Sequence, residues 1–119
     1  MSDDIGGFLS RKGAIPLVSL LNVEDGRIVN QLHSQLNVSR QSLSDLLKEA
    51  YEKDIVDREY LMSDHGNAKR FVLTQRGIKI AEKIDELGLY ESYEELQTIR
   101  SEYDMKSDKL RVWASKNPL

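Results

Sequence analysis

Residues 27–54 read RIVNQLHSQLNVSRQSLSDLLKEAYEKD. Ile28, Leu32 and Leu36 recur every four positions, which sets them on one face of a helix. Asn37-Val38-Ser39 then breaks the pattern. Asn tolerates the left-handed backbone at a helix exit, and Ser39 is a good N-cap for a following helix. Beyond it Leu43, Leu46, Leu47 and Ala50 fall at helical spacing. The spacing therefore predicts a helix from Arg27 to Leu36 and a second over Ser39–Lys53. Joined by so short a turn, the two must cross steeply.

Upstream, Met1 to Lys12 carries Gly6-Gly7 and reads as a loose arm. Gly13 and Pro16 open the run AIPLVSLLN, which predicts a short helix over Ala14–Leu21, with Pro in the turn that tolerates it. Asn22 to Gly26 is a polar turn. Downstream, IVDREYLM and RFVLT are rich in β-branched and aromatic residues and flank SDHGNAK with its Gly66-Asn67 turn signal. This predicts a β-hairpin with a long polar tip. Thr74 caps QRGIKIAEKIDEL, whose stripe is Ile78, Ala81, Ile84 and Leu87, and Gly88 closes it. From Leu89 onward, Leu89, Tyr93, Leu96, Ile99 and Tyr103 continue at helical steps, and a further helical portion holds Leu110 and Trp113.

The organisation expected is an arm over 1–13, a domain over 14–88 and a C-terminal helix over 89–119. The fold class is mainly α with a small β-hairpin wing (α+β). At 119 residues, 39% hydrophobic and 31% charged, the chain suits one globular domain. No apolar run approaches the roughly 18 residues needed to cross a bilayer, and MSDDIGG is the reverse of a secretory leader. A cytoplasmic protein without membrane contact is expected. The absence of cysteine excludes disulfides and thiolate metal sites, and His33 and His65 lack close ligand spacing. No metal, cofactor or catalytic residue is expected, since no nucleophile–base pair or phosphate-cradling glycine loop appears.

The order helix, helix, turn, helix, two-stranded wing, helix is that of a winged helix-turn-helix. NVSRQSLSDLLKEA resembles the turn and recognition helix of bacterial and archaeal regulators, and FVLTQRG resembles the last wing strand running into the next helix. Over residues 14–88 the chain is similar to PadR-like and MarR-like transcriptional regulators, especially small archaeal members with a C-terminal dimerisation helix. Two positions depart from that pattern. Asn37 stands where glycine is frequent in the turn, and His33 where a small residue is frequent.

The resemblance implies a homodimer on double-stranded DNA, reading a pseudo-palindromic operator with recognition helices roughly 34 Å apart. If Leu43, Leu46, Leu47 and Ala50 point inward, Arg40, Gln41, Ser44 and Lys48 lie outward. Arg suits the guanine edge and Gln the adenine edge in the major groove. Ser39, Ser42 and Ser44 are small enough to let the helix approach. Asp45 is expected to hold Arg40 or Lys48 in place. The wing, residues 62–70, offers His65, Asn67, Lys69 and Arg70 to the backbone or minor groove. Arg27 heads the preceding helix, near where it crosses the backbone. Arg11 and Lys12 could serve as an arm.

The dimer interface expected on the C-terminal helix comprises Leu89, Tyr93, Leu96, Ile99, Tyr103, Leu110 and Trp113, its aromatics being of the kind enriched at interfaces. The alternative is a helix folded back on its own domain. The net charge of −3 opposes DNA binding, so positive surface has to be local: Arg27, Arg40, Lys48, Lys69 and Arg70 on one side, with Glu49, Glu52, Asp54 and Asp57 beyond it. The alternative function is a winged helix used for protein contacts, such as a partition adaptor, because one fold serves both. No small-molecule effector is legible.

Overall fold

The computed structural model describes residues 4–63 and 66–117, with residues 61–63 and 66–68 described by their backbone alone. Nine elements follow in order among these: α1 (Ile5–Leu9), α2 (Ala14–Leu21), β1 (Arg27–Ile28), α3 (Val29–Gln35), α4 (Arg40–Glu52), β2 (Val56–Ser63), β3 (Gly66–Leu73), α5 (Gln75–Leu87) and α6 (Leu89–Lys116). The chain divides into two compact units, one reaching Leu89 and one beginning at Tyr90.

In the first unit, Leu17, Leu21, Leu32, Leu43, Ile55 and Val56 are fully buried and hold the helices against the sheet. Each such side chain contributes about 1.5–3 kcal/mol on leaving water. The Ser39 hydroxyl accepts from the Ser42 N–H at 3.0 Å and so caps α4. Leu43, Leu46, Leu47 and Ala50 face inward, as their spacing implies.

Several expectations are corrected. Residues 5–9 are no loose arm: Asp4 caps α1 by accepting from the Gly7 N–H at 2.8 Å, and Phe8 is completely buried. A buried aromatic outweighs the flexibility that two glycines suggest. Arg27 and Ile28 form a strand, not the start of a helix, and pair with Arg70 and Phe71. Gly26 makes this possible, having φ +66° and lying so close to the Phe71 carbonyl that a Cβ would overlap it.

Asn37 does not take the left-handed conformation. Among the described non-glycine residues only Asp54 does, with φ 59°, where the chain leaves α4 and the Ile55 N–H donates to the Ala50 carbonyl at 2.9 Å. Leu36, by contrast, exits α3 in extended backbone, a route that needs no special residue.

The sheet runs in the order β1-β3-β2, all antiparallel. Pairing in the hairpin extends to Ser63 opposite Gly66, so the long polar tip is replaced by longer strands and Asn67 sits within β3. Thr74 then turns the chain into α5. Its hydroxyl donates to the Asp54 carbonyl at 2.6 Å and accepts from the Gly77 N–H at 3.1 Å. A Cβ on Gly77 would overlap the Ile55 carbonyl oxygen, so glycine is what lets α5 seat against the start of the hairpin. That seat rotates the buried stripe to Gly77, Ala81 and Ile84. Ile78 and Leu87, expected inward, are exposed. Gly88 closes α5 in the left-handed conformation, as expected.

The second unit begins one residue inside α6, an unbroken helix of 28 residues with none of its side chains buried. The portions expected separately before and after Tyr103 are one element. No helix among the described residues is long and apolar enough to cross a membrane.

Candidate nucleic-acid interface

The outward side of α4 carries Arg40, Gln41, Ser42, Ser44, Asp45 and Lys48, all exposed. Their exposure follows from the burial of the opposite stripe, since successive residues step by about 100° around the axis. Ser39 is committed to the cap and also donates to the Ser42 hydroxyl at 3.0 Å. Arg40 donates to the Asn30 side-chain carbonyl at 3.2 Å, across to α3. Asp45 holds neither Arg40 nor Lys48 in the manner expected; it accepts from the Gln41 amide at 2.9 Å. The i,i+4 spacing stacks these two on one face, whereas Arg40 lies on the flank.

Beside α4 lies an open cleft reaching to the wing. Val29, Leu47 and Phe71 supply its apolar floor, and Ser44, Lys48, Tyr51, Glu52, Arg58 and Lys69 its walls. Strand alternation explains which wing residues arrive there. Val56, Arg58 and Tyr60 share a face of β2, and their register partners Leu73, Phe71 and Lys69 share the same face of the sheet. Val56 and Phe71 are buried, so Arg58, Tyr60 and Lys69 extend that inward face past the core, toward the flank of α4. The Arg58 guanidinium lies 4.2 Å from the centre of the Tyr51 ring, and the Lys69 ammonium 5.7 Å from that of Tyr60. Both are cation–π distances, which fix a cation without neutralising it.

Arg70 belongs to the other face. It is opposite Glu59 in register and donates to the Glu59 carboxylate at 2.8 Å. Lys69 and Arg70, expected to act together on the wing, therefore point to opposite sides of the sheet, and only Lys69 lines the cleft. Arg27 is also elsewhere: its Nε donates to the Leu20 carbonyl at 2.6 Å in a partly buried site, tying β1 to the end of α2. The structure places Asn67 in β3, with its side chain outside the description, and His65 lies outside the described residues altogether.

The acids divide too. Glu49 is paired with Arg11 and with Lys53, the latter at 3.6 Å, so Arg11 braces α4 and is no free arm. Glu52 remains in the cleft wall among the cations. Sequence reading missed Arg58. The signal was available in its two-residue offset from Val56, which the alternation rule converts into a shared face.

No family model matches the chain, and no curated protein matches it. Solved structures do. A possible HxlR family transcriptional factor from Thermoplasma volcanium superposes with a TM-score of 0.63 at 21% identity, covering 77% of this chain and 82% of that one. A transcriptional regulator of the MarR family from Enterococcus faecalis gives 0.61 at 18%, covering 79% and 84%. A PadR family transcription regulator from Clostridium difficile gives 0.56 at 18%, covering 72% and 96%. The sequence resemblance to PadR-like and MarR-like groups thus holds in three dimensions, and the chain has the winged helix-turn-helix fold that these solved structures share.

Proposed function

We propose that the protein is a sequence-specific, double-stranded DNA-binding transcriptional regulator that acts as a homodimer on a pseudo-palindromic operator. In this reading residues 39–53 enter the major groove and the wing, residues 62–70, lies against the backbone or minor groove. The observation that carries it is the convergence of Lys48, Arg58 and Lys69 on one cleft beside the exposed Arg40 and Gln41. A phosphate backbone running between recognition helix and wing would meet those three cations, while the helix face meets base edges. That the similar solved structures are named as transcription regulators supports the same reading.

Local concentration of cations answers the objection of a net charge of −3. It also implies modest affinity per half-site, which dimerisation would multiply. Glu52 in the cleft and Asp45 on the helix face favour a second reading, a winged helix that docks a basic protein partner. Gel-shift selection of genomic fragments at stated salt separates the two. Specific retention that is lost on Arg40→Ala with Gln41→Ala supports the regulator, and no retention even at low salt supports the adaptor.

A further inference from the structure

Along α6, Leu96, Ile99, Tyr103, Leu110 and Trp113 are each 50–70% exposed. Together with Lys106 they recur in alternating steps of three and four from residue 96 to residue 113. That is a repeat of 3.5 residues per turn, the pattern of a left-handed coiled-coil seam. A single helix cannot bury such a seam by itself. The positions immediately before Leu96, Tyr103 and Leu110, and the next in the series, are Glu95, Glu102, Lys109 and Lys116. They run along one edge of the seam, acidic toward the N-terminus of α6 and basic toward its C-terminus.

We infer that α6 pairs with α6 of a second copy as an antiparallel two-stranded coiled coil from Leu96 to Trp113, with Lys106 of each helix seated beside Tyr103 of the other. The charge order selects this orientation. Antiparallel pairing sets Glu95 against Lys116 of the partner subunit and Glu102 against Lys109 of the partner subunit, and the two-fold axis repeats both pairs. The seam layers are then Leu96 with the partner's Trp113, Ile99 with the partner's Leu110, and Tyr103 with the partner's Lys106. The partner's Trp113 meets the smaller Leu96, two aliphatic side chains meet in the next layer, and the lysine meets an aromatic ring.

Parallel pairing in register stacks Lys106 on its own copy in the seam. It leaves Glu102 and Lys109 opposite Ser107 and Ala114, so that only Glu95 finds an opposite charge, Arg100. A slip of one heptad in the antiparallel form seats Lys106 against Leu96 or Leu110 instead. Exposed ion pairs add little stability individually, but edge charges and a polar seam residue are what fix orientation and register. Met105 and Val112 lie off this seam, on the flank beyond the charged edge. The inference rests on the homodimer half of the proposed function and not on DNA binding.

The chain has no cysteine, so introduced cysteines report without background. A size-tagged Ile99→Cys chain mixed with a Leu110→Cys chain is expected to give a disulfide-linked heterodimer under mild oxidation. Ile99→Cys alone is expected to give none, because antiparallel copies hold the two positions about 16 Å apart along the axis, beyond disulfide reach. Covalent dimers from Ile99→Cys alone overturn the orientation.

Lys109→Glu with Lys116→Glu makes the whole edge acidic and is expected to weaken self-association at least 10-fold in sedimentation equilibrium. Mixing it with Glu95→Lys/Glu102→Lys is expected to restore dimers. Unchanged self-association of the acidic variant contradicts the inference, because a parallel coil would retain its pair between Glu95 and Arg100. A wild-type chain that sediments as a monomer overturns both the coil and the homodimer. Loss of DNA binding with these results intact would count only against the regulator reading.

Discussion

The guanidinium of Arg58 on β2 rests 4.2 Å above the ring of Tyr51 in the last turn of α4. The β2–β3 hairpin and α4 are thereby linked at the cleft proposed to receive the DNA backbone. Such a contact contributes about 0.5–1 kcal/mol at an exposed site, and it holds the cation in place with its charge undiminished. Arg58→Ala is expected to weaken DNA binding by a similar factor on every sequence tested and to reduce the salt slope by about 0.9 for each half-site. Tyr51→Phe should bind like the parent, since the ring face is kept. Fluorescence anisotropy across a salt series checks both, and a sequence-dependent loss from Arg58→Ala would place that residue on a base instead.

Arg40 and Gln41 are expected to behave differently. Each bidentate base contact contributes about 1–3 kcal/mol of discrimination, so Arg40→Ala and Gln41→Ala should each relax the preference at one position of each half-site while sparing non-specific affinity. Gln41 donates to Asp45 in the free protein and would have to exchange that bond for a base. Asp45→Ala removes both the competing acceptor and a charge that repels phosphate, and is expected to raise affinity several-fold. Selection of bound sequences with each variant tests this.

The two wing cations should separate. Lys69 lines the cleft, whereas Arg70 is engaged with Glu59 on the opposite face of the sheet. Lys69→Ala is expected to lower affinity and Arg70→Ala to leave it within about twofold. Equal losses in the same binding assay would contradict the assignment of faces.

Phe8 and Gly77 test the packing. Phe8 is completely buried, and Phe8→Ala is expected to destabilise by about 3–5 kcal/mol. A loose arm would leave the melting temperature unchanged. Gly77→Ala forces a methyl into the Ile55 carbonyl and is expected to lower the melting temperature by more than the roughly 4–8 °C that 1 kcal/mol produces in a domain of this size. Thermal denaturation followed by circular dichroism reads both.

What the sequence discloses here is chiefly what is local. Ser39 and Thr74 announce helix starts, Gly88 announces an end, and the leucines of α4 announce its buried side, because capping and helical periodicity act within a few residues. The strand of Arg27 and Ile28 exists only through pairing with Arg70 and Phe71, more than forty positions away, and no nearby pattern encodes it. Asn37 and Asp54 are both chemically able to end a helix in the left-handed conformation, and the choice between them was made by the path of the chain.

At the interface, exposure of Arg40, Gln41 and Lys48 was legible from the helix period. Arg58 was hidden because charge on a strand invites an outward reading, although its two-residue offset from Val56 places it on the face that leads to the cleft. Lys69 and Arg70 looked like one basic patch because they are adjacent, yet adjacency in a strand means opposite faces.

The most direct measurement is the salt dependence of binding to the best genomic duplex, for the parent chain and for Lys48→Ala/Arg58→Ala/Lys69→Ala together. A steep slope for the parent, flattened by about 2–3 in the triple variant for each half-site, is the result expected. Binding that is absent at low salt, or equally salt-dependent in both proteins, would contradict the proposal that this cleft holds DNA.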